Sequence, residues 1–85
     1  MISDREREIW KQIYIIRDRY HDCHWTDQDI LAMDRDVSKL YARFPESIME
    51  RLLIALMEVF DEEIKTTRAA VEKLEAEQTA LVGVL

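Results

Sequence analysis

The stretch Ser47–Leu81, SIMERLLIALMEVFDEEIKTTRAAVEKLEAEQTAL, contains neither glycine nor proline. Nothing in it breaks a helix, and at about 1.5 Å per residue it predicts one close to 50 Å long. Leu53, Met57, Phe60, Ile64, Thr67, Val71, Leu74, Gln78, Leu81 and Leu85 stand alternately four and three apart. This is the a/d repeat of a coiled-coil seam, sustained over more than four heptads. Thr67 and Gln78 are polar seam positions, of the kind that fix register at some cost in stability. Glu63 and Arg68 take g and e positions and are candidates for pairing across a parallel dimer. The first half of the stretch is apolar on a second face as well, through Ile48, Leu52, Ile54, Leu56 and Val59. It therefore has more than one neighbour to satisfy, whereas the second half carries one narrow stripe.

Upstream, two shorter helices can be read with their punctuation. Ser3 followed by Glu6 is the pattern of a capping box, and Ile9, Ile13, Ile16 and Tyr20 then mark one helical face. Trp10 and Tyr14 widen that face, and the helix is expected to run over about residues 3–23. Thr26 caps a second helix, with Asp27 and Asp29 in the first turn, where the helix dipole favours negative charge. Trp25 and Ile30 bracket that cap like a hydrophobic staple. Met33, Val37, Leu40 and Phe44 continue the apolar stripe until Pro45 stops it. Ser47 and Glu50 read as another capping box, which starts the third helix.

The expected fold is all-α: one domain, residues 1–85, with helices over about 3–23, 26–44 and 47–82. A short link makes the first two an antiparallel hairpin. They pack on the first half of the third helix, which continues as a coiled-coil extension of the three-helix bundle. A fold-back at Thr66-Thr67 would give four helices, but no breaker and no capping glutamate supports it.

Composition narrows the function. The chain has 85 residues and a single cysteine, Cys23, so no internal disulfide can form. A domain this small has a marginal core unless a partner assists it. The longest dense apolar run, Leu52–Met57, is far short of a membrane span, and the charged N-terminus is unlike a signal peptide. A soluble, cytoplasmic protein is expected, with no membrane association. Net charge is −6, and residues 45–85 hold nine acidic against four basic side chains. Direct nucleic-acid binding needs clustered Lys and Arg and is not expected.

No catalytic constellation stands out. Ser3 and Ser47 serve as caps, Gly83 alone cannot make a phosphate loop, and Asp18-x-x-His21 only approaches a di-iron motif, once. No enzyme and no cofactor is expected. His21, Cys23 and His24 are the ligand-type cluster, but a zinc site usually draws on two separated pairs. These three read more simply as helix-end residues.

Glu58, Asp61, Glu62 and Glu63, followed by Glu72, Glu75 and Glu77, make the third helix acidic. A solvated face accounts for them. The alternative is a nucleic-acid mimic docking on the basic groove of a DNA- or RNA-handling protein. The principal expectation is a small, non-enzymatic interaction or regulatory protein. Its partner is a protein, in the first instance another copy of itself, held through the heptad seam.

Overall fold

The computed structural model describes the backbone of residues 1–84 and the side chains of residues 1–77. Three helices form it: α1 (Asp4–Arg19), α2 (Asp27–Arg43) and α3 (Ser47–Val84). Each touches the other two, giving an all-α three-helix bundle. Arg5 on α1 donates to Glu46 at 2.5 Å and to the Arg43 carbonyl at 3.3 Å. Further along α1, Arg17 meets Glu63 and Arg19 meets Asp36. Hence α1 runs parallel to α3 and antiparallel to α2. The molecule measures 65 × 22 × 17 Å, elongated because α3 outruns the other two helices.

The core follows the predicted stripes. Ile9, Ile16 and Tyr20 of α1, Met33 and Leu40 of α2, and Met49, Leu53, Leu56 and Phe60 of α3 are buried, together with Trp25 and Phe44 from the connections. Each fully buried side chain of this size contributes roughly 1.5–3 kcal/mol over its exposed state. No polar or charged side chain is buried among the described residues. The guanidinium of Arg5 closes one end of the core, 4.3 Å above the Phe44 ring.

Two boundaries differ from the sequence reading, for local physical reasons. First, α1 stops at Arg19 rather than near Cys23. The His21 N–H donates to the Asp18 carbonyl at 3.2 Å, an i to i−3 closure that tightens the last turn. Asp22 then takes φ 55° and Trp25 φ 53°, so the link is a folded loop, not the short turn expected. Aspartate tolerates the left-handed region, but a bulky tryptophan there is strained. Burial of Trp25 offsets that cost. Its ring stacks on Tyr20 (5.8 Å, 16°) and meets Phe60 edge-on (5.2 Å, 60°).

Second, Ser47 is the first residue of α3 rather than its cap, and the Glu50 N–H bonds to the Glu46 carbonyl at 3.0 Å. The capping box expected there gives way to an ordinary helical start after Pro45. A capping box does form at α2. The Thr26 hydroxyl accepts from the Asp29 N–H at 3.2 Å, and the Asp29 carboxylate accepts from the Thr26 N–H at 2.9 Å. Those bonds, the Thr26 N–H first, hold the Asp29 carboxyl below its ordinary range. At α1, the Ser3 hydroxyl accepts from the Glu6 N–H at 3.0 Å.

One polar knot ties α1 to α2 and gives the fold a pH signature. The Tyr20 hydroxyl donates to Asp36 Oδ2 at 2.6 Å, and Arg19 donates to the same oxygen at 2.7 Å. Burial, reinforced by that hydrogen bond, pushes the Tyr20 phenol from 10.0 up to about 12. The Tyr20 bond, then Arg19, holds the Asp36 carboxyl below its ordinary 3.8. A raised Tyr20 stabilises the fold fully below pH 10, and that contribution is lost as pH rises from 10 toward 12. A depressed Asp36 stabilises it above about pH 3.8, and that contribution is lost as pH falls below this. Tyr20→Phe is expected to cost about 1–2 kcal/mol at neutral pH. It should also flatten the alkaline limb of stability, as urea unfolding across pH would show. An unchanged limb would mean that the knot is not the titrating element.

Candidate functional site

The heptad seam divides into two parts with different fates. Leu53 and Phe60 are buried in the chain's own core, and Met57 and Ile64 pack against it half-buried. Leu53 and Phe60 are therefore taken up by the bundle itself, and Met57 and Ile64 in part. Thr67 is half-buried where the core ends. Beyond it every described residue, Arg68 to Glu77, is exposed, including Val71 (47%) and Leu74 (59%), although Arg68 and Val71 still border a depression beside His24 and Trp25 of the α1–α2 connection and Asp27 of α2. The side chains of Gln78 and Leu81, and all of Leu85, lie outside the described residues. What remains of the proposed seam among the described residues is an arm on which the bundle's own stripe runs on exposed, through Val71 and Leu74.

The limit of the bundle is marked by two ion pairs. Arg17 grips Glu63 with two hydrogen bonds, 2.5 and 3.1 Å, while its guanidinium lies 5.8 Å from the centre of the Phe60 ring. Arg68 donates to Asp27 at 2.6 Å. Glu63 and Arg68 are thus paired within the chain, and the expected bridge between them across a dimer finds both already engaged. Thr66 donates its hydroxyl to the Glu62 carbonyl at 2.9 Å inside an unbroken helix, so no fourth helix starts there.

Glu58 and Glu72, like Asp61 and Glu75, stand two heptads apart on one flank of α3, whereas Glu63 lies apart from them. Glu63 is neutralised by Arg17. Glu58 and Asp61 line a groove between α2 and α3. Glu62 borders a cleft with Asp22, Cys23 and Trp25. Glu72 and Glu75 border another, beside His24 and Asp27, and Glu77 is exposed.

The ligand-type cluster is also dispersed. His21 Nε2 lies 3.3 Å from Asp22, while Cys23 and His24 line separate depressions. Burial raises the Cys23 thiol, opposite to the shift of a reactive cysteine. Among the described residues no three His, Cys, Asp or Glu side chains are grouped to hold a metal ion. No helix among the described residues is long and apolar enough to cross a membrane.

Two apolar grooves flank α3, built on aromatic residues that the sequence alone does not divide between core and surface. Trp10 and Tyr14 of α1, 48% and 71% exposed, form an apolar groove with Leu52, Ala55 and Val59 of α3. On the other flank, Tyr41 of α2 and Ile54 of α3 are 43% and 55% exposed in the groove that holds Glu58 and Asp61. The signal for both was the second apolar face of early α3. Periodicity identified the face but not whether it was covered. The aromatic residues, which sequence treats alike, now separate: Trp25 is core, whereas Trp10, Tyr14 and Tyr41 are surface.

Compared with family models, with curated proteins and with solved structures, the chain gives no match.

Proposed function

We propose that the chain is a small non-enzymatic interaction protein that associates with a second copy of itself through the arm of α3. The observation that supports this most is the exposure of Val71 and Leu74 on a stripe whose earlier members build the bundle. An isolated helix of the arm's length is marginal in water. A partner helix laid on the stripe would continue the packing that α1 and α2 provide lower down. The rival reading, an acidic mimic docking on a basic groove, has less to stand on, because Glu63 is tied to Arg17 and a solvated face accounts for the remaining carboxylates.

Backbone hydrogen exchange over residues 68–77 tests the proposal. In a partnered arm these amides are protected, and protection grows with protein concentration because association stabilises the helix by mass action. Rapid exchange that does not change with concentration would contradict it.

A further inference from the structure

The groove between α2 and α3 combines an apolar floor with an unbalanced rim. Tyr41, Ile54 and Met57 line it, with Glu50, Glu58 and Asp61 along the same stretch of α3, in a space of about 510 Å³. Neither lysine nor arginine lines it. None of these three carboxylates has an ion-pair partner among the described residues. Four arginines are engaged elsewhere, Arg5 with Glu46, Arg17 with Glu63, Arg19 with Asp36 and Arg68 with Asp27, and the cations unpaired among the described residues, Arg35, Lys39, Arg51 and Lys65 among them, do not line the groove. The spacing from Glu50 through Ile54 and Glu58 to Asp61 keeps these side chains on one flank of α3 for about three turns, roughly 16 Å.

We propose that this groove receives a basic amphipathic helix of a different protein. Its apolar face lies on Ile54, Met57 and Tyr41, and its lysines or arginines, three and four residues apart, meet Glu50, Glu58 and Asp61. An apolar stripe in a groove supplies the affinity, and the complementary charges set partner choice and on-rate. The chain's own arm is the wrong occupant, since it carries Glu72, Glu75 and Glu77 against Lys73 and Arg68, and Arg68 is paired with Asp27. The basic flank of α1 on a second copy, Arg7 and Lys11 beside Trp10 and Tyr14, is a weaker match, since Arg7 is already paired with Asp4 at 3.6 Å. The groove is separate from the arm, so the inference goes beyond the association proposed above and does not depend on it.

Calorimetric titration of the full chain with a synthetic Leu/Lys amphipathic peptide of about five helical turns tests this. A Leu/Glu peptide of the same pattern serves as the control. Two variants with the same charge change separate groove binding from general attraction to an acidic protein: Glu58→Lys with Asp61→Lys, and Glu72→Lys with Glu77→Lys. All four positions are exposed, so folding should survive, and circular dichroism checks it. The expected result is binding of the Lys peptide but not the Glu peptide. The groove variant should weaken binding by about tenfold or more and the arm variant by less than about threefold. Ile54→Asn, which leaves charge unchanged, should also weaken it. Equal weakening by both charge variants, or no binding by the unaltered chain, would overturn the proposal. A fall in the protein's own mass on Glu58→Lys with Asp61→Lys, without peptide, would overturn it too by making the occupant a second copy.

Discussion

Trp25→Ala is expected to cost about 3–5 kcal/mol, while Trp10→Ala changes stability by no more than about 1 kcal/mol. The contrast follows from placement. Trp25 is 3% exposed and Trp10 is 48% exposed. Trp25 stacks on Tyr20 and meets Phe60 edge-on, and those two rings meet each other at 5.9 Å. Removing the indole opens a cavity at the point where the loop, α1 and α3 converge. Alanine also keeps the burden of positive φ at residue 25 without the packing that offsets it. Small domains have only about 5–15 kcal/mol in all, so the variant should sit near the edge of folding. Urea unfolding measures both variants. Similar costs for the two tryptophans would contradict the aromatic trio as the bundle's keystone.

Val71→Asp combined with Leu74→Asp is expected to reduce the chain to a monomer while leaving helical content and the unfolding of the bundle little changed. Each side chain is exposed within one chain, so neither change opens a cavity there. Across a two-chain seam the loss is counted on both copies. At roughly 1.5–3 kcal/mol for each buried side chain, this amounts to about 6 kcal/mol or more. That corresponds to a dissociation constant weakened by about ten-thousandfold. Leu53→Asp would act differently: Leu53 is a core residue here and its charge would unfold the bundle. A double variant that keeps the mass of the unaltered chain would remove the arm as the association surface.

Much of the architecture was legible because it rests on local rules. Pro45 ended α2, Thr26 capped it, and the breaker-free stretch after Ser47 produced one helix that outruns its neighbours. The misplaced end of α1 was not legible, because the cause is not local. Tyr20 turns inward to Asp36, Trp25 and Phe60, and these contacts, distant in sequence, override the helical pattern of residues 20–23. Ser47 misled because Ser-x-x-Glu is the pattern of a capping box, whereas the helix takes Ser47 as its first residue and leaves Glu50 in the first turn without the reciprocal bond. The seam shows the general limit. Its spacing identified one face of α3 but not where that face passes from the chain's own core at Ile64 to the bare arm at Val71. The groove carboxylates were legible as acidic residues. Their lack of partners depends on where Arg5, Arg17, Arg19 and Arg68 reach in three dimensions.

The central claim, association through the arm, is tested most directly by the solution mass of the intact chain, measured by light scattering after size exclusion over a concentration series. The predicted result is a mass at least twice the 10.2 kDa of one chain, falling toward that value on dilution. A mass of 10.2 kDa at every concentration would contradict it.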